Sequence, residues 1–521
     1  MLGLVREQVT AILFGAGNAA DAFNIAYRIP NLLRDLFAEG ALSAAFVPTF
    51  TEQLTRRGRS EAWRLGNAVV WALFFVIALL MVVGWFAAPA LVRVMAPGFA
   101  EIPGKLDLTV FLTRVQLPFL LFVAIAAACT GMLNSLSRFG IGALAPIGFN
   151  VGSIVVTLLV YPVAREAGAE PILALAVGVL VGGALQVLVQ LPALWRLGFR
   201  PAWPPQLGHP GVRRIVFLMT PVAIGLSATQ INVVINSFFA SLVGPGAVSW
   251  LAYAFRVLFV PIGLFGVALA TVSLPALSRL VASGDMERMK ATLLRALRLG
   301  AALSLPAAVG LVVLAQPLVA ALFEHGAFTS HDSRQTAQAL MAYCVGLAAY
   351  AGVKVLVPAF YALGDTRTPL VASFLALAAN LSLNLLLYRS YGHVGLALAV
   401  SLTSLFNFVQ LWWWLGRKLD GLPTRAFGLA VLRVLGASLA MGGVLGAAVH
   451  WLRPYWEAHL WAQIAVSLGG VAGGGVALLL FYRIFGVEER HDLWRVATGL
   501  LRRLGGRGRS GQSGGGVGAG G

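Results

Sequence analysis

Long apolar runs recur along nearly the whole of this chain, and many approach the roughly 20 residues that a helix needs to cross a bilayer. In hydrocarbon every backbone N–H and C=O must find its partner inside the protein, so only helices or closed barrels can span. Barrel strands alternate apolar and polar residues. These runs do not alternate; they are apolar on every face. Of 521 residues 59% are hydrophobic and 11% charged, whereas soluble domains carry about a quarter charged residues. The fold class is an all-α polytopic membrane protein.

Fourteen candidate spans can be marked, over 3–14, 21–54, 65–94, 108–134, 141–162, 171–195, 214–243, 247–278, 291–322, 335–362, 369–388, 393–415, 427–451 and 459–485. The first is too short to cross alone at 1.5 Å rise per residue. Basic residues assign the sides. Arg56, Arg57, Arg59, Arg64, Arg138, Arg196, Arg200, Arg213, Arg214, Arg279, Arg288, Lys290, Arg367, Arg417, Lys418 and Arg425 fall in alternate loops. The opposite loops hold only Arg93, Lys105, Arg165, Arg334, Arg389 and Arg453. Sixteen against six predicts that the rich loops and both termini lie in the cytoplasm. Trp412, Trp413 and Trp414 just before Arg417 suit an interfacial aromatic belt.

The net charge of +18 is thereby read as topology, and no nucleic-acid partner is expected. Cys129 and Cys344 both lie in apolar runs, so neither a disulfide framework nor a metal site is expected. No cleavable signal peptide is recognisable.

The chain repeats itself. Pro89-Ala-Leu-Val92 matches Pro317-Leu-Val319 at an offset of about 228, Ala26-Tyr27 matches Ala252-Tyr253 at about 226, and Phe46-Val-Pro48 resembles Ser273-Leu-Pro275. Six spans separate equivalent points, so the copies run the same way. This predicts two six-helix lobes related by a pseudo-two-fold axis along the membrane normal, with a site between them. The expected divisions are an N-lobe over 1–200, a C-lobe over 201–422, two extra helices over 423–486 and a partly disordered cytoplasmic tail over 487–521. The extra helices carry Gly442-x-x-x-Gly446, Gly469-x-x-x-Gly473 and Gly470-x-x-x-Gly474, patterns that let helices approach closely.

Charges inside spans are costly and mark sites that face a cavity, a partner or a ligand. On the second span Asn31, Arg34, Asp35 and Glu39 share one face at 100° per residue, and Pro30 should kink the helix just before it. A cavity wall fits; so does an ion-pair network between helices. Arg6 and Glu7 lie in the first span and Arg256 in the eighth, where it follows Tyr253 much as Arg28 and Arg34 follow Tyr27. Several guanidinium forks facing one cavity would suit a diphosphate. Arg114 and Lys354 are weaker candidates. Asn232 with Asn236, and Asn380 with Asn384, are spaced i, i+4; their oxygens could hold a small cation, or the amides could simply bond between helices.

No zincin helix, nucleophile elbow or phosphate-binding Gly-Lys-Ser/Thr loop is present. The chain is read as a transporter without a cofactor, driven by an ion gradient such as Na+, the membrane potential or the substrate gradient.

The motifs Gly15-Ala-Gly17-x-x-x-Asp21-Ala-Phe23, Pro30-Asn-Leu-Leu-Arg34, Phe37-Ala-Glu-Gly-Ala41 and Ala45-Phe-Val-Pro48 closely resemble the MurJ (MviN) family. These are bacterial lipid II flippases of the multidrug/oligosaccharidyl-lipid/polysaccharide exporter superfamily. Ala96-Pro-Gly-Phe99, Ser249-Trp250 with Arg256, Lys354-Val-Leu356 and Pro358-x-Phe-Tyr361 extend the resemblance over nearly the whole chain. It implies fourteen helices around a cationic cavity in the bacterial inner membrane. It also implies export of an undecaprenyl-diphosphate-linked precursor for peptidoglycan biosynthesis, cell-wall biogenesis and cell shape. By this resemblance Arg6, Arg34 and Arg256 bind the diphosphate and sugar, and Asp21 and Glu39 act in gating pairs; from their places in the spans Asn31 is added to the binding set and Glu7 to the gating or ion-pair set. The last two helices would border a groove for the lipid tail. Expected partners are lipid II, membrane lipids and cell-wall synthesis proteins.

Three departures stand out. Relatives begin upstream of the Leu2-Gly-x-x-Arg6 segment, and Met1 stands where they often have Val, so a miscalled start or a GTG codon read as Met, with part of the first helix missing, is expected. Phe255 occupies a position that is often acidic in relatives, which would leave Arg256 freer for ligand. Sodium sites proposed in some relatives use carboxylates where this chain has Asn232, Asn236, Asn380 and Asn384. The rival readings are a cation-coupled drug or polysaccharide-lipid exporter of the same superfamily, which would need an acidic cavity, and a membrane glycosyltransferase, which would need a carboxylate base and a large outer loop.

Overall fold

A computed structural model describes residues 2–34, 41–204, 207–457 and 459–490. Among the described residues there is no strand. The helices, in chain order, begin with α1 (Leu2–Phe14), α2 (Asn18–Arg34), α3 (Ala41–Met95), α4 (Lys105–Gln116), α5 (Phe119–Ser135), α6 (Phe139–Glu166), α7 (Leu173–Leu188) and α8 (Leu191–Arg196). They continue with α9 (Pro210–Val243), α10 (Ala247–Pro261), α11 (Ala268–Ala282), α12 (Met286–Phe323), α13 (Ser330–Cys344), α14 (Leu347–Ala362), α15 (Arg367–Lys418), α16 (Thr424–Trp451), α17 (Arg453–Trp456) and α18 (Leu460–Ile484).

Among the described residues ten helical segments are long and apolar enough to cross a membrane, and eleven if α13 and α14, bent by 46° at their junction, form one span. This is compatible with fourteen helices. α3 and α15 are each two helices joined at a glycine in the left-handed region, Gly58 at φ 84 and Gly392 at φ 54. Of the run over 21–54, read as one span, the described parts are helical, in α2 up to Arg34 and in α3 from Ala41. Asp35 and Glu39 lie outside the described residues. After Pro261 the helix widens into a π-helical stretch, Ile262–Val267, before α11; the missing proline N–H removes one rung of the ordinary ladder.

By packing, the chain falls into two compact units. One comprises Met1–Val260, Ala315–Ala349 and Asp365–Leu411; the other comprises Pro261–Leu314, Tyr350–Gly364 and Trp412–Gly521. In the first unit α3, α5 and α9 share a core around Phe46, Phe50, Met132, Phe199 and Ile215. A second core gathers Phe23 of α2, Leu112 of α4, Phe119 of α5, Phe149 of α6 and Leu175 of α7. α6 and α7 approach closely because a Cβ on Gly178 or Gly182 would collide with α6, the small-residue packing expected of helices in lipid.

In the second unit α12, α16 and α18 meet around Ala302, Val434, Ala437, Tyr482 and Val487. The Tyr482 hydroxyl donates to the Ala302 carbonyl at 2.5 Å. Of the small-residue patterns read from the sequence, Gly442 faces Val309, Gly470 faces Leu314 and Gly474 faces Leu445, while Gly446, Gly469 and Gly473 have no neighbour that a Cβ would meet. The chain stays ordered past α18, because Gly486 at φ 64 turns Val487 back into this core, where its N–H donates to the Tyr482 carbonyl. Residues 491–521 lie outside the described residues. Arg417 lies 4.0 Å from the Trp413 ring centre, the stacking expected of an interfacial arginine.

Candidate functional site

α1 brings Arg6 and Glu7 into the first unit, and α10 brings Arg256 to the same carboxylate. Arg6 Nη2 donates to Glu7 Oε1 at 2.8 Å, and Arg256 Nη2 donates to the same oxygen at 2.9 Å. Arg6 and Glu7 are largely buried, whereas the Arg256 side chain is 49% exposed. Arg6 also lies over the rings of Tyr27 and Phe149, at 5.9 and 5.2 Å. The two sequence repeats thus each contribute one guanidinium to a single carboxylate. Phe255, the departure noted above, turns to Phe259 and Tyr343 and puts no second carboxylate beside Arg256.

Arg28 of α2 is the residue that sequence reading undervalued. Its Nη1 donates to Ser237 Oγ of α9 at 2.5 Å, and it lies within electrostatic reach of Tyr343, Arg256 and Asp21. Among the described residues it forms no ion pair. The signal was its place one residue after Tyr27 on an arginine-bearing helix, but nothing in the sequence distinguished it from a snorkelling side chain. Asn31, one turn further, keeps a buried Oδ1 without a donor. Arg34 ends α2, about 9 Å along the axis from Arg28 at 1.5 Å per residue, and is itself engaged in a polar or electrostatic contact. Arg6 and Arg256 are brought together; no contact of Arg34 with either is seen among the described residues. Glu39 lies outside the described residues.

Asp21 occupies a different site. It is fully buried in the first turn of α2, and the equally buried Lys105 donates to its Oδ2 at 2.8 Å. Gly246 N donates to Oδ2 at 2.7 Å, and Ser249 donates to Oδ1 through N at 2.9 Å and Oγ at 2.7 Å. The carboxylate thus caps the N-terminus of α10, where backbone N–H groups lack helical partners and the dipole favours an anion. Gly246 adopts φ 87 and a Cβ there would meet the Ala16 carbonyl, so only glycine lets the two backbones approach. Nearby, Tyr253 donates to the Gly15 carbonyl, and Trp250 Nε1 donates to Asp332, which also forms the capping box of α13. Lys105, read from the sequence as an outer-loop charge, is the ion-pair partner of Asp21 that this reading missed; 84 residues separate the two.

The four asparagines form one ladder. Asn236 donates to Asn232 Oδ1, Asn384 donates to both Asn236 Oδ1 and Asn380 Oδ1, and Asn380 donates to Thr403 Oγ1. Three amide oxygens are occupied, and Asn384 Oδ1 is left buried without a donor. Hard cations take about six oxygens, so as arranged these amides serve one another. Among the described residues no cluster of three or more His, Cys, Asp or Glu side chains suits a metal. Arg114 donates to the Trp85 carbonyl and stacks on that ring, and Lys354 lies over Tyr350; both read as structural.

Residues 10–467 match the family profile described as "Lipid II flippase MurJ". The chain is 36% identical over 491 residues to the "Probable lipid II flippase MurJ" of Vibrio cholerae, covering 92% of each. It is 36% identical over 457 residues to the "Lipid II flippase MurJ" of Burkholderia cenocepacia, covering 86% of each. Among solved structures it resembles "Lipid II flippase MurJ, inward closed conformation" with TM-score 0.75 and 26% identity, over 92% of this chain and 96% of that one. It also shares its fold, at 15% identity and TM-score 0.68, with an inward-facing multidrug resistance MATE family transporter of the MOP superfamily. On the extent of these matches, the chain belongs to the MurJ family of lipid II flippases.

Proposed function

We propose that this protein is a transporter that carries lipid II across the bacterial cytoplasmic membrane by alternating access, supplying the precursor for peptidoglycan. The observation that carries the reading is the charge tally around Glu7. Arg6 and Arg256 on Glu7, with Arg28 within electrostatic reach of Arg256, bring three positive charges against one negative, and nearby Asp21 is balanced by Lys105, leaving two in excess. A diphosphate diester carries two negative charges. Guanidinium forks bind phosphate oxygens in pairs, and in a poorly hydrated cavity that attraction is far stronger than in water. A cationic drug would be repelled by the same set.

Asn31, with its free buried oxygen, accepts a hydrogen bond from a sugar hydroxyl in this scheme. Arg34 extends the basic surface along α2. The Asp21–Lys105 contacts hold α2, α4 and α10 together at what the distribution of basic loops makes the outer side. They close that side while the headgroup enters from the cytoplasm, and must open for release. The groups that hold the anion must grip it less once the outer side is open, since a ligand shifts a conformational equilibrium only by its differential affinity for the two states. Three of the four ladder oxygens already accept hydrogen bonds, and one free amide oxygen does not make a cation site, so the membrane potential is the proposed driving force. An inside-negative potential favours outward movement of an anion by about 2.3 kcal/mol per charge per 100 mV. Both termini are then cytoplasmic, and α16 with α18 borders the path of the lipid tail.

The test is transport in proteoliposomes loaded with headgroup-labelled lipid II. Wild type should expose the label to an external reagent, and Arg256→Ala should abolish this while the variant still inserts and folds. Wild-type rates in Arg256→Ala would remove the arginine cluster from the transport path.

A further inference from the structure

The second unit holds a cavity of about 200 Å³ where α12 and α16 begin and α18 ends, lined by Arg298, Arg433, Leu429, Ala430, Glu488 and Glu489. It is smaller than the roughly 300–1,000 Å³ of drug-sized sites, yet its polar groups are unsatisfied in both senses of charge. Arg298 Nε is buried with no acceptor, and Arg298 Nη1 reaches Glu488 only at 3.8 Å. Arg433 is exposed and, among the described residues, forms no ion pair. Glu489 is 8% exposed and, among the described residues, neither accepts a hydrogen bond nor pairs with a cation.

Buried charges without partners are costly, so the cavity is incomplete without an occupant that brings both an anion and a hydrogen-bonding cation. The surroundings specify what carries them. Arg433 lies about 14 Å along α16 from Thr424 at 1.5 Å per residue, and its neighbours Leu429 and Leu432 are 50% and 63% exposed, as is Ile484 of α18 at 65%. These apolar faces offer seats for acyl chains. Basic pockets between helix ends at the cytoplasmic face bind lipid headgroups.

We infer that this cavity binds the headgroup of a zwitterionic aminophospholipid, its phosphate on Arg298 and Arg433 and its primary ammonium on Glu489 and Glu488. A choline head has no N–H to give the carboxylates. A glycerol head brings no positive charge to them. A soluble phosphate would leave the apolar faces bare and meet the two glutamates alone.

The full chain is reconstituted in vesicles of equal phosphatidylethanolamine, phosphatidylglycerol and phosphatidylcholine, extracted in mild detergent, and its co-purifying lipid measured by native mass spectrometry. Phosphatidylethanolamine should be retained at least fivefold over each of the others. Glu489→Gln should erase the preference over phosphatidylglycerol. Arg433→Leu, an exposed position that tolerates an apolar residue, should lose retention of both at least fivefold, with an unchanged melting temperature. Arg256→Ala should behave as wild type. Equal retention of the three lipids overturns the inference, as does a preference for phosphatidylglycerol, or wild-type selectivity in Glu489→Gln or Arg433→Leu. Displacement of the lipid by millimolar soluble phosphoethanolamine would equally overturn it, by assigning the cavity to a soluble ligand.

Discussion

Lys105 and Asp21 form an ion pair at 2.8 Å with 1% and 0% of their side chains exposed, and the carboxylate takes three further hydrogen bonds from Gly246 and Ser249. Removing one partner of a buried pair leaves an uncompensated charge and costs about 3–5 kcal/mol. Asp21→Ala should therefore lower the melting temperature in detergent markedly. The double variant with Lys105→Met should lose less than the two single losses added together, because the lysine is no longer stranded. Additive losses in a double-mutant cycle would separate the two residues energetically.

Arg28 tests the charge tally. Arg28→Ala should reduce lipid II transport by about tenfold or more, a loss of about 1.4 kcal/mol, with little change in melting temperature since only the Ser237 hydrogen bond disappears. Arg28→Lys should recover part of the rate, because it keeps the charge but loses the fork. Full activity in Arg28→Ala would place this arginine outside the binding set.

Glu7 offsets one of three guanidinium charges. Glu7→Gln should tighten binding of the diphosphate headgroup and slow turnover, because release is then opposed by a larger excess of positive charge. Binding should also weaken more steeply with added salt, as electrostatic attraction does. Weaker binding in the variant would mean that Glu7 contacts the substrate itself.

The asparagine ladder makes a statement about ions. Replacing sodium by potassium on both sides of the vesicle should leave transport within about twofold, since one free amide oxygen does not make a cation site. A sodium requirement that disappears in Asn384→Ala would assign that site after all.

Tyr482→Phe should destabilise the protein by about 1–3 kcal/mol, the cost of an unpaired buried acceptor, here the Ala302 carbonyl. Because Tyr482 belongs to the core of α12, α16 and α18, thermal unfolding should register the change while the lipid II affinity of the folded fraction does not.

The architecture was largely legible because hydrocarbon leaves so few options: apolar runs had to be helices. Arg6 and Arg256 were legible as candidates because each puts a charge inside a span, Arg256 following Tyr253 much as Arg28 and Arg34 follow Tyr27. What joined them was not, since Glu7 sits beside Arg6 in sequence and could equally have served that residue alone. Lys105 looked like an ordinary loop cation; its role depends on the approach of α2 and α10 through Gly246, a tertiary fact with no local signature. Arg28 was hidden for the opposite reason, because its importance rests on a carboxylate that it does not have. The helix breaks at Gly58, Gly392 and Pro261 fell where glycine and proline allow them, but apolar patterning alone does not say which such residues bend.

Glu7 holds both guanidinium groups through a single oxygen. On the proposed reading, a phosphate oxygen would compete for N–H groups that are already pointed, those of Arg6 largely buried and those of Arg256 half exposed, and the resident carboxylate would serve as a placeholder for cargo. The empty carrier would then travel home with its cations partly quenched by an internal counter-ion, and the swap between glutamate and diphosphate would be the exchange on which each cycle turns.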